Sequence, residues 1–195
     1  MRSCEFTHDK SSGARFARAD AQEEHMTTLA SRLLGSASLK VSSYEEIESD
    51  RRATWQAVAI VILSSLGAAI GIGNTSLSGI AALLFVAIAT WVVWVVLTLF
   101  IGTQLLPGTQ THADFGQLLR TTGFSAAPGI LRVFGVVPGI GWILFLAATI
   151  WMLFTYVVAV RQALDYTSTG RALAVCVLGW LIHGVLLFGF ILTAL

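Results

Sequence analysis

Long apolar runs without an acidic or basic side chain dominate the chain after residue 52. Four of these runs have the length of a membrane crossing, at residues 55–73, 77–101, 139–160 and 172–195. An α-helix rises about 1.5 Å per residue, so about 20 residues cross the ~30 Å hydrocarbon layer of a bilayer. The pattern therefore predicts four transmembrane helices in an all-α membrane protein.

A fifth, shorter apolar run at residues 125–138 is ambiguous. It is bounded by Pro128 and Pro138 and carries Arg132 near its middle. Its six large apolar side chains favour insertion by roughly 2 to 4 kcal/mol, whereas one central arginine opposes it by about 3 kcal/mol. Arg132 would either snorkel toward the cytoplasmic headgroups or meet a polar partner. Hydropathy alone leaves two alternatives, five spans or four spans plus a re-entrant segment.

The positions of the basic residues favour five spans. Lysine and arginine remain on the cytoplasmic side of short membrane loops. A crossing at residues 125–138 would place every basic loop residue on that side, and we assign these residues a role in topology or lipid-headgroup contact: Arg51, Arg52, Arg120, Arg161 and Arg171. We therefore predict a five-span helical bundle with a short third span. The segment before Trp55 would lie in the cytoplasm and Leu195 outside, as in a bacterial inner membrane protein.

The polar part of the chain before the first span divides in two. Residues 1–26 mix charges, serine and alanine without periodicity, which is typical of a disordered tail. Residues 27–52 are predicted to form a cytoplasmic amphipathic, juxtamembrane segment. Ser43 followed by Glu46 has the spacing of a capping box, so we expect a helix to begin there and to run into the membrane.

A second amphipathic segment begins at Asp114. Asp114 is a plausible N-cap, and Gln117 falls at the third helical position. We expect Phe115, Leu118 and Leu119 to lie on the bilayer surface, with Arg120 directed toward lipid phosphate. The segment would then be an anchor that orients the protein rather than a binding site.

Glycines recur where helices could pack closely. Gly67 and Gly71 share one stripe of the first span, and small residues allow another helix to approach. We predict a helix-packing role for five glycines: Gly67, Gly71, Gly135, Gly139 and Gly179. The stripe could serve packing inside the chain or the face of a homodimer.

His183 lies at the midpoint of the last predicted span, where an ionisable group requires a reason. A neutral imidazole that is hydrogen-bonded to another helix is one reading. A second interpretation is an axial ligand to a haem or a bacteriochlorophyll, with Gly184 leaving room beside it. His183 is therefore the candidate cofactor-binding residue. A dyad of Ser125 and His183 in an intramembrane hydrolase is a third. Apart from this, we expect no cofactor and no metal.

The charge distribution and the missing motifs argue against a nucleic-acid-binding protein and against an enzyme. Residues 53–195 carry only four basic and two acidic side chains, and the net charge of the chain is +1. This balance gives no electrostatic footprint for nucleic acid. The sequence also contains no CxxC, no HExxH, no phosphate-binding glycine loop and no row of membrane carboxylates. We therefore expect a protein that is not an enzyme.

Three stretches resemble bacterial members of the Yip-domain family, relatives of the Ypt/Rab-interacting membrane proteins. They are SYEEIESDRRATWQA, FGQLLRTTGFSAAPGILRVFG and IWMLFTYVVAVRQALDYTSTGRAL, and the residues that carry the resemblance are Arg120, Gly123, Pro128, Trp151, Arg161 and the turn at 167–171. The resemblance implies five spans and a cytosolic N-terminus. Eukaryotic members act in vesicle traffic and bind prenylated small GTPases, but their Asp-Leu-Tyr-Gly-Pro motif is absent from residues 1–52.

These observations lead to one functional hypothesis and two alternatives. The first is a Yip-like membrane protein that acts through contacts with lipids, with other transmembrane helices or with further copies of itself, in membrane organisation or a trafficking-like role. The first alternative is an accessory subunit of a larger respiratory or photosynthetic complex, in which His183 touches a pigment or a haem. The second is an intramembrane hydrolase or a carrier.

Overall fold

A computed structural model describes residues 28–73, 76–108, 111 and 113–194, with side chains to residue 185. The chain divides into two compact units, residues 1–31 and 32–195, and the long apolar helices all belong to the second. The predicted tail at residues 1–26 lies outside the described residues.

Throughout the described part, the regular structure is helical and contains no strand. The helices are α1 (28–37), α2 (Val41–Ser49), α3 (Ala53–Gly71), α4 (Leu77–Phe100), α5 (Phe115–Ser125), α6 (Gly141–Ala163) and α7 (Thr169–Ala194). A π-helical turn, Ile101–Leu105, extends α4, and a 3₁₀ helix, Ala127–Val136, follows α5. The all-α prediction is confirmed.

Three of these helices are long and apolar enough to span a bilayer. They are Ala53–Gly71, Leu77–Leu105 and Gly141–Ala163. Helix α7 is apolar over Thr169–Val185, the part whose side chains are described. The chain is therefore an integral membrane protein built of apolar helices.

Helix α2 differs from its predicted form. It begins at Val41 after Lys40, with no side-chain cap, so the predicted capping box of Ser43 and Glu46 is wrong. Glu46 instead pairs with Arg32 of α1 at 2.8 Å. The helix ends at Ser49 and does not run into the membrane, because the chain turns at residues 50–52 before α3 begins.

The capping box of Asp114 and Gln117 is confirmed, but the surface position predicted for its helix is wrong. Leu118 is fully buried, in a core cluster that includes Val95 of α4 and Val160 of α6. Helix α5 therefore lies inside the bundle and not on the bilayer surface.

Helix α5 and the 3₁₀ helix that follows it together run along the whole length of α3. Successive contacts run in the same direction along both: Gly123 meets Ala57, Gly129 meets Ser64, and Gly135 meets Gly71. Helix α6 returns in the opposite direction on the other side, where Thr155 bonds the Ser125 carbonyl and Gly141 meets Gly135. Residues 115–136 thus pack between α3 and α6 and run parallel to α3.

Candidate functional site

Arg32 joins three helices at the end where α3 begins. Its guanidinium, 7% exposed, pairs with Glu46 at 2.8 Å and with Asp50 at 2.9 Å, and it donates to the Gln56 side chain at 3.1 Å. Burial raises the pKa of Asp50, but hydrogen bonds from the Arg52 backbone and from Arg32 outweigh this and leave the pKa below its usual value. The sequence analysis missed Arg32, since nothing distinguishes it from the other charges of the polar leader.

Arg120 lies at the same end and points inward. Its side chain is 7% exposed and donates from Nη2 to the Glu48 carbonyl of α2. The predicted contact with lipid phosphate is therefore wrong, because the guanidinium is turned into the protein. Burial, with a smaller contribution from Asp165, raises the pKa of the Glu48 carboxyl to about 7, and Arg120 partly offsets this.

The other four basic residues of the topology prediction lie near this end as well. Arg51 and Arg52 are exposed and directly follow α2. Arg161 donates to the Tyr166 carbonyl at 3.2 Å, and Arg171 donates to the Pro107 carbonyl at 3.3 Å. The influence of Asp165 on Glu48 connects the loop between α6 and α7 to α2. One end of the bundle therefore collects the basic residues.

Four of the five predicted packing glycines stand where a Cβ would meet another element. A Cβ on Gly67 would lie 2.8 Å from the Ile130 carbonyl oxygen, and one on Gly71 would overlap the Arg132 carbonyl. Gly135 lies against the backbone of Gly71, and Gly179 lies against the Trp94 ring.

Gly139 is different, because no atom lies within 4 Å of its Cβ position and its φ is +85°. It is a turn residue that needs the left-handed conformation, so its predicted packing role is wrong.

Arg132 turns back along the 3₁₀ helix toward the middle of α3. Its Nη2 donates to the Ser64 carbonyl at 3.0 Å and to the Ser64 hydroxyl at 2.9 Å, and Nε donates to the Gly129 carbonyl at 3.1 Å. The guanidinium also lies 5.8 Å from the Phe145 ring centroid. The polar-partner alternative is the one found, and the snorkelling alternative is wrong.

A cavity of about 270 Å³ lies beside Arg132, between all the helical segments from α3 to α7. Its walls are mainly apolar and aromatic: Val61, Ala87, Trp91, Trp94, Ala126, Met152, Leu153, Tyr156 and Trp180. Hydroxyl groups complete the lining, from Ser64, Ser65, Thr90, Thr122, Ser125 and Thr149. A concave, mostly apolar space with a few convergent polar groups is the usual form of a small-molecule site.

His183 lies in an aromatic cluster and does not line this cavity. Its ring is 5.4 Å from that of Trp94, which also meets Tyr156 and Trp180 edge to face. The buried His183 Nδ1 has no hydrogen-bond partner among the described residues. Ser125 donates its hydroxyl to the Thr122 carbonyl at 2.6 Å, so the predicted dyad of Ser125 and His183 is not formed.

A sequence model of the Yip1 domain matches residues 40–191, more than three quarters of the chain. The chain belongs to the Yip1 domain family. The predicted family resemblance is thereby confirmed, and the matched region of this Yip1 protein begins just before α2 and ends within α7. The comparisons with curated proteins and with solved structures gave no match.

Proposed function

We propose that this Yip1 domain protein crosses the membrane five times, with the end that carries α1 and α2 in the cytoplasm and residue 195 outside. Residues 115–136 would reach roughly 35 Å, at ~1.5 Å per α-helical and ~2.0 Å per 3₁₀ residue, which is enough for the third span. The collection of basic residues at one end supports the orientation, because such residues stay on the cytoplasmic side. A bacterial inner membrane is the proposed location.

We infer a non-enzymatic role, in which the protein organises membrane or holds partners through helix association. The observation that carries this proposal is the surface of α4. Only 6% of the residues in its most apolar stretch are buried, compared with 44% for α3. Its outward side chains include Phe85 at 75% and Phe100 at 54% exposure. α4 therefore offers a long apolar face to lipid and to other transmembrane helices.

Site-specific photo-crosslinking in native membranes tests this inference. A photoreactive residue replaces Phe85 on α4, and a matched control replaces Ile150, which is 45% exposed on α6. We expect a discrete protein adduct from position 85 and only lipid adducts from position 150. Lipid adducts alone from both positions would contradict association through α4.

An accessory subunit with a pigment or haem on His183 is the second candidate. Among the described residues, the buried Nδ1 has no hydrogen-bond partner and no atom lies within 4 Å of the Gly184 Cβ position, and both observations favour this candidate. The absorption spectrum of protein purified in mild detergent tests it, and His183→Ala should abolish any visible band. A colourless wild-type preparation would rule out a tightly bound macrocycle.

A further inference from the structure

Arg132 is a cation in the apolar part of the protein, and no carboxylate of the described residues pairs with it. Residues 53–195 contain two acidic side chains, Asp114 at the start of α5 and Asp165 between α6 and α7, and neither lines the cavity. Neutral oxygens alone accept its hydrogen bonds, through Nε and Nη2. No described residue accepts a hydrogen bond from Nη1. The guanidinium therefore retains donors for an anion.

The missing carboxylate partner matters because the Arg132 guanidinium lies inside the membrane. Ser64, which binds the guanidinium, lies seven residues before the end of α3 at Gly71, or about 10 Å along the helix axis. Arginine stays protonated in proteins, and a charge inside the hydrocarbon region is expensive unless it is paired. An anion beside Arg132 would neutralise the charge where water cannot.

The adjoining cavity is suited to an apolar chain. Its volume of about 270 Å³ is just below the range of roughly 300 to 1,000 Å³ that is usual for ligand pockets. Trp91, Trp94 and Met152 supply polarizable, apolar walls of the same cavity that Arg132 lines. Trp180 and Leu153 are 52% and 38% exposed, so the cavity adjoins the lipid-facing surface.

We propose that this cavity binds an anionic amphiphile from the bilayer. The acidic headgroup, a carboxylate or a phosphate, pairs with Arg132, and the first part of its acyl chain lies against Trp91, Trp94 and Met152. Nη1 carries two N–H groups that can donate to the oxygens of either headgroup, and hydrogen bonds between ionised partners are stronger than neutral ones. The site is distinct from the outward face of α4 that is proposed for partners, because its charge comes from Arg132 of the 3₁₀ helix.

Tryptophan quenching by brominated lipids tests the site directly, because three of the six tryptophans line the cavity. The full-length protein is placed in phosphatidylcholine nanodiscs. One arm compares dibromostearate with its uncharged methyl ester, and a second compares brominated phosphatidylglycerol with brominated phosphatidylcholine. We expect about tenfold tighter quenching by at least one anionic probe than by its neutral counterpart, as for a charged hydrogen-bonded contact. The arm that shows it identifies the headgroup.

Substitutions at two positions, Arg132 and Ala87, distinguish the contribution of the charge from that of the cavity volume. Arg132→Gln should abolish the preference for the anionic probe and Arg132→Lys should keep part of it, whereas Ala87→Phe should weaken quenching by filling the cavity with the charge intact. Arg171→Gln, at the polar end, is the matched charge control and should behave as wild type. The wild-type comparison and Ala87→Phe remain decisive if Arg132→Gln does not fold.

Two results would overturn the proposal. The first is equal quenching of the wild-type protein by the anionic and neutral members of both pairs. The second is displacement of the brominated anion by inorganic phosphate alone at equal concentration, since this would assign the site to a soluble anion and not to a lipid.

Discussion

Gly67 shows at the scale of one residue why the third segment can approach α3 so closely. A methyl group at this position would lie 2.8 Å from the Ile130 carbonyl oxygen, and a backbone atom cannot move aside as a flexible side chain can. We expect Gly67→Ala to lower the free energy of unfolding by about 1–3 kcal/mol, the usual cost of overpacking. Thermal unfolding in detergent measures it.

Gly184→Ala is the matched control, because Gly184 also lies inside a helix but no atom of the described residues from another element lies within 4 Å of its Cβ position. Its effect should lie between zero and a gain of about 1 kcal/mol, because alanine favours a helix interior more than glycine does. Equal losses for both variants would show that the contact with Ile130 does not decide the outcome.

The stability of the folded protein should depend on pH through Glu48, and the environment of its carboxyl decides the sign. Burial raises the pKa of its carboxyl in the folded protein from 4.5 to about 7, so the folded state holds the proton more tightly than the unfolded state. This contribution to stability is complete below about pH 4.5 and is lost as the pH rises to about 7. We expect Glu48→Gln to flatten the melting temperature across this interval and to raise it at higher pH.

The melting temperature measured as a function of pH gives the answer, with Glu45→Gln as the control. Glu45 is exposed and affects Glu48 only weakly, so its removal should leave the slope nearly unchanged. A Glu48→Gln profile that keeps the wild-type slope would show that burial does not raise the pKa of this carboxyl.

Helix α5 illustrates at the scale of an element where sequence reasoning fails. Its sequence FGQLLRTTGFS reads as amphipathic, and it contains two threonines and a serine, which usually seek water. In the fold these hydroxyls bond carbonyls of their own helix: Thr121 to Gln117, Thr122 to Leu118 and Ser125 to Thr122. A helix that satisfies its own hydroxyls can be buried, and hydrophobic periodicity does not reveal this.

Thr121 and Thr122 form a matched pair that tests this explanation. Thr122 also accepts a hydrogen bond from the Trp91 indole at 3.1 Å, whereas the Thr121 hydroxyl bonds only to Gln117 and Leu118 of its own helix. We expect Thr122→Val to cost about 1–3 kcal/mol, because it leaves the indole N–H without an acceptor, and Thr121→Val to cost little. Equal unfolding free energies for the two variants would contradict the role of Trp91.

At the scale of the whole molecule, the sequence predicts the long apolar helices of the bundle but not the cavity between them. The charge-free runs predict α3, α4 and α6 because length and hydropathy alone decide whether a helix can span a bilayer. Arg132, by contrast, donates a hydrogen bond to Ser64, which lies sixty-eight residues earlier in the chain. The cavity beside it is lined by residues from α3 to α7. Such distant juxtapositions leave no periodic signal, so the sequence analysis singled out His183 and missed the cavity.

Residues 115–136 are proposed to cross the membrane from the cytoplasmic to the outer side. The side of the membrane on which Ile140 lies tests this most directly. A single cysteine is placed at position 140, or for comparison at Leu105, after Cys4 and Cys176 are replaced by alanine, and intact cells are treated with a membrane-impermeant maleimide. A third span that crosses predicts labelling of position 140 from outside and labelling of position 105 only after permeabilisation. Labelling of both positions from the same side would contradict it.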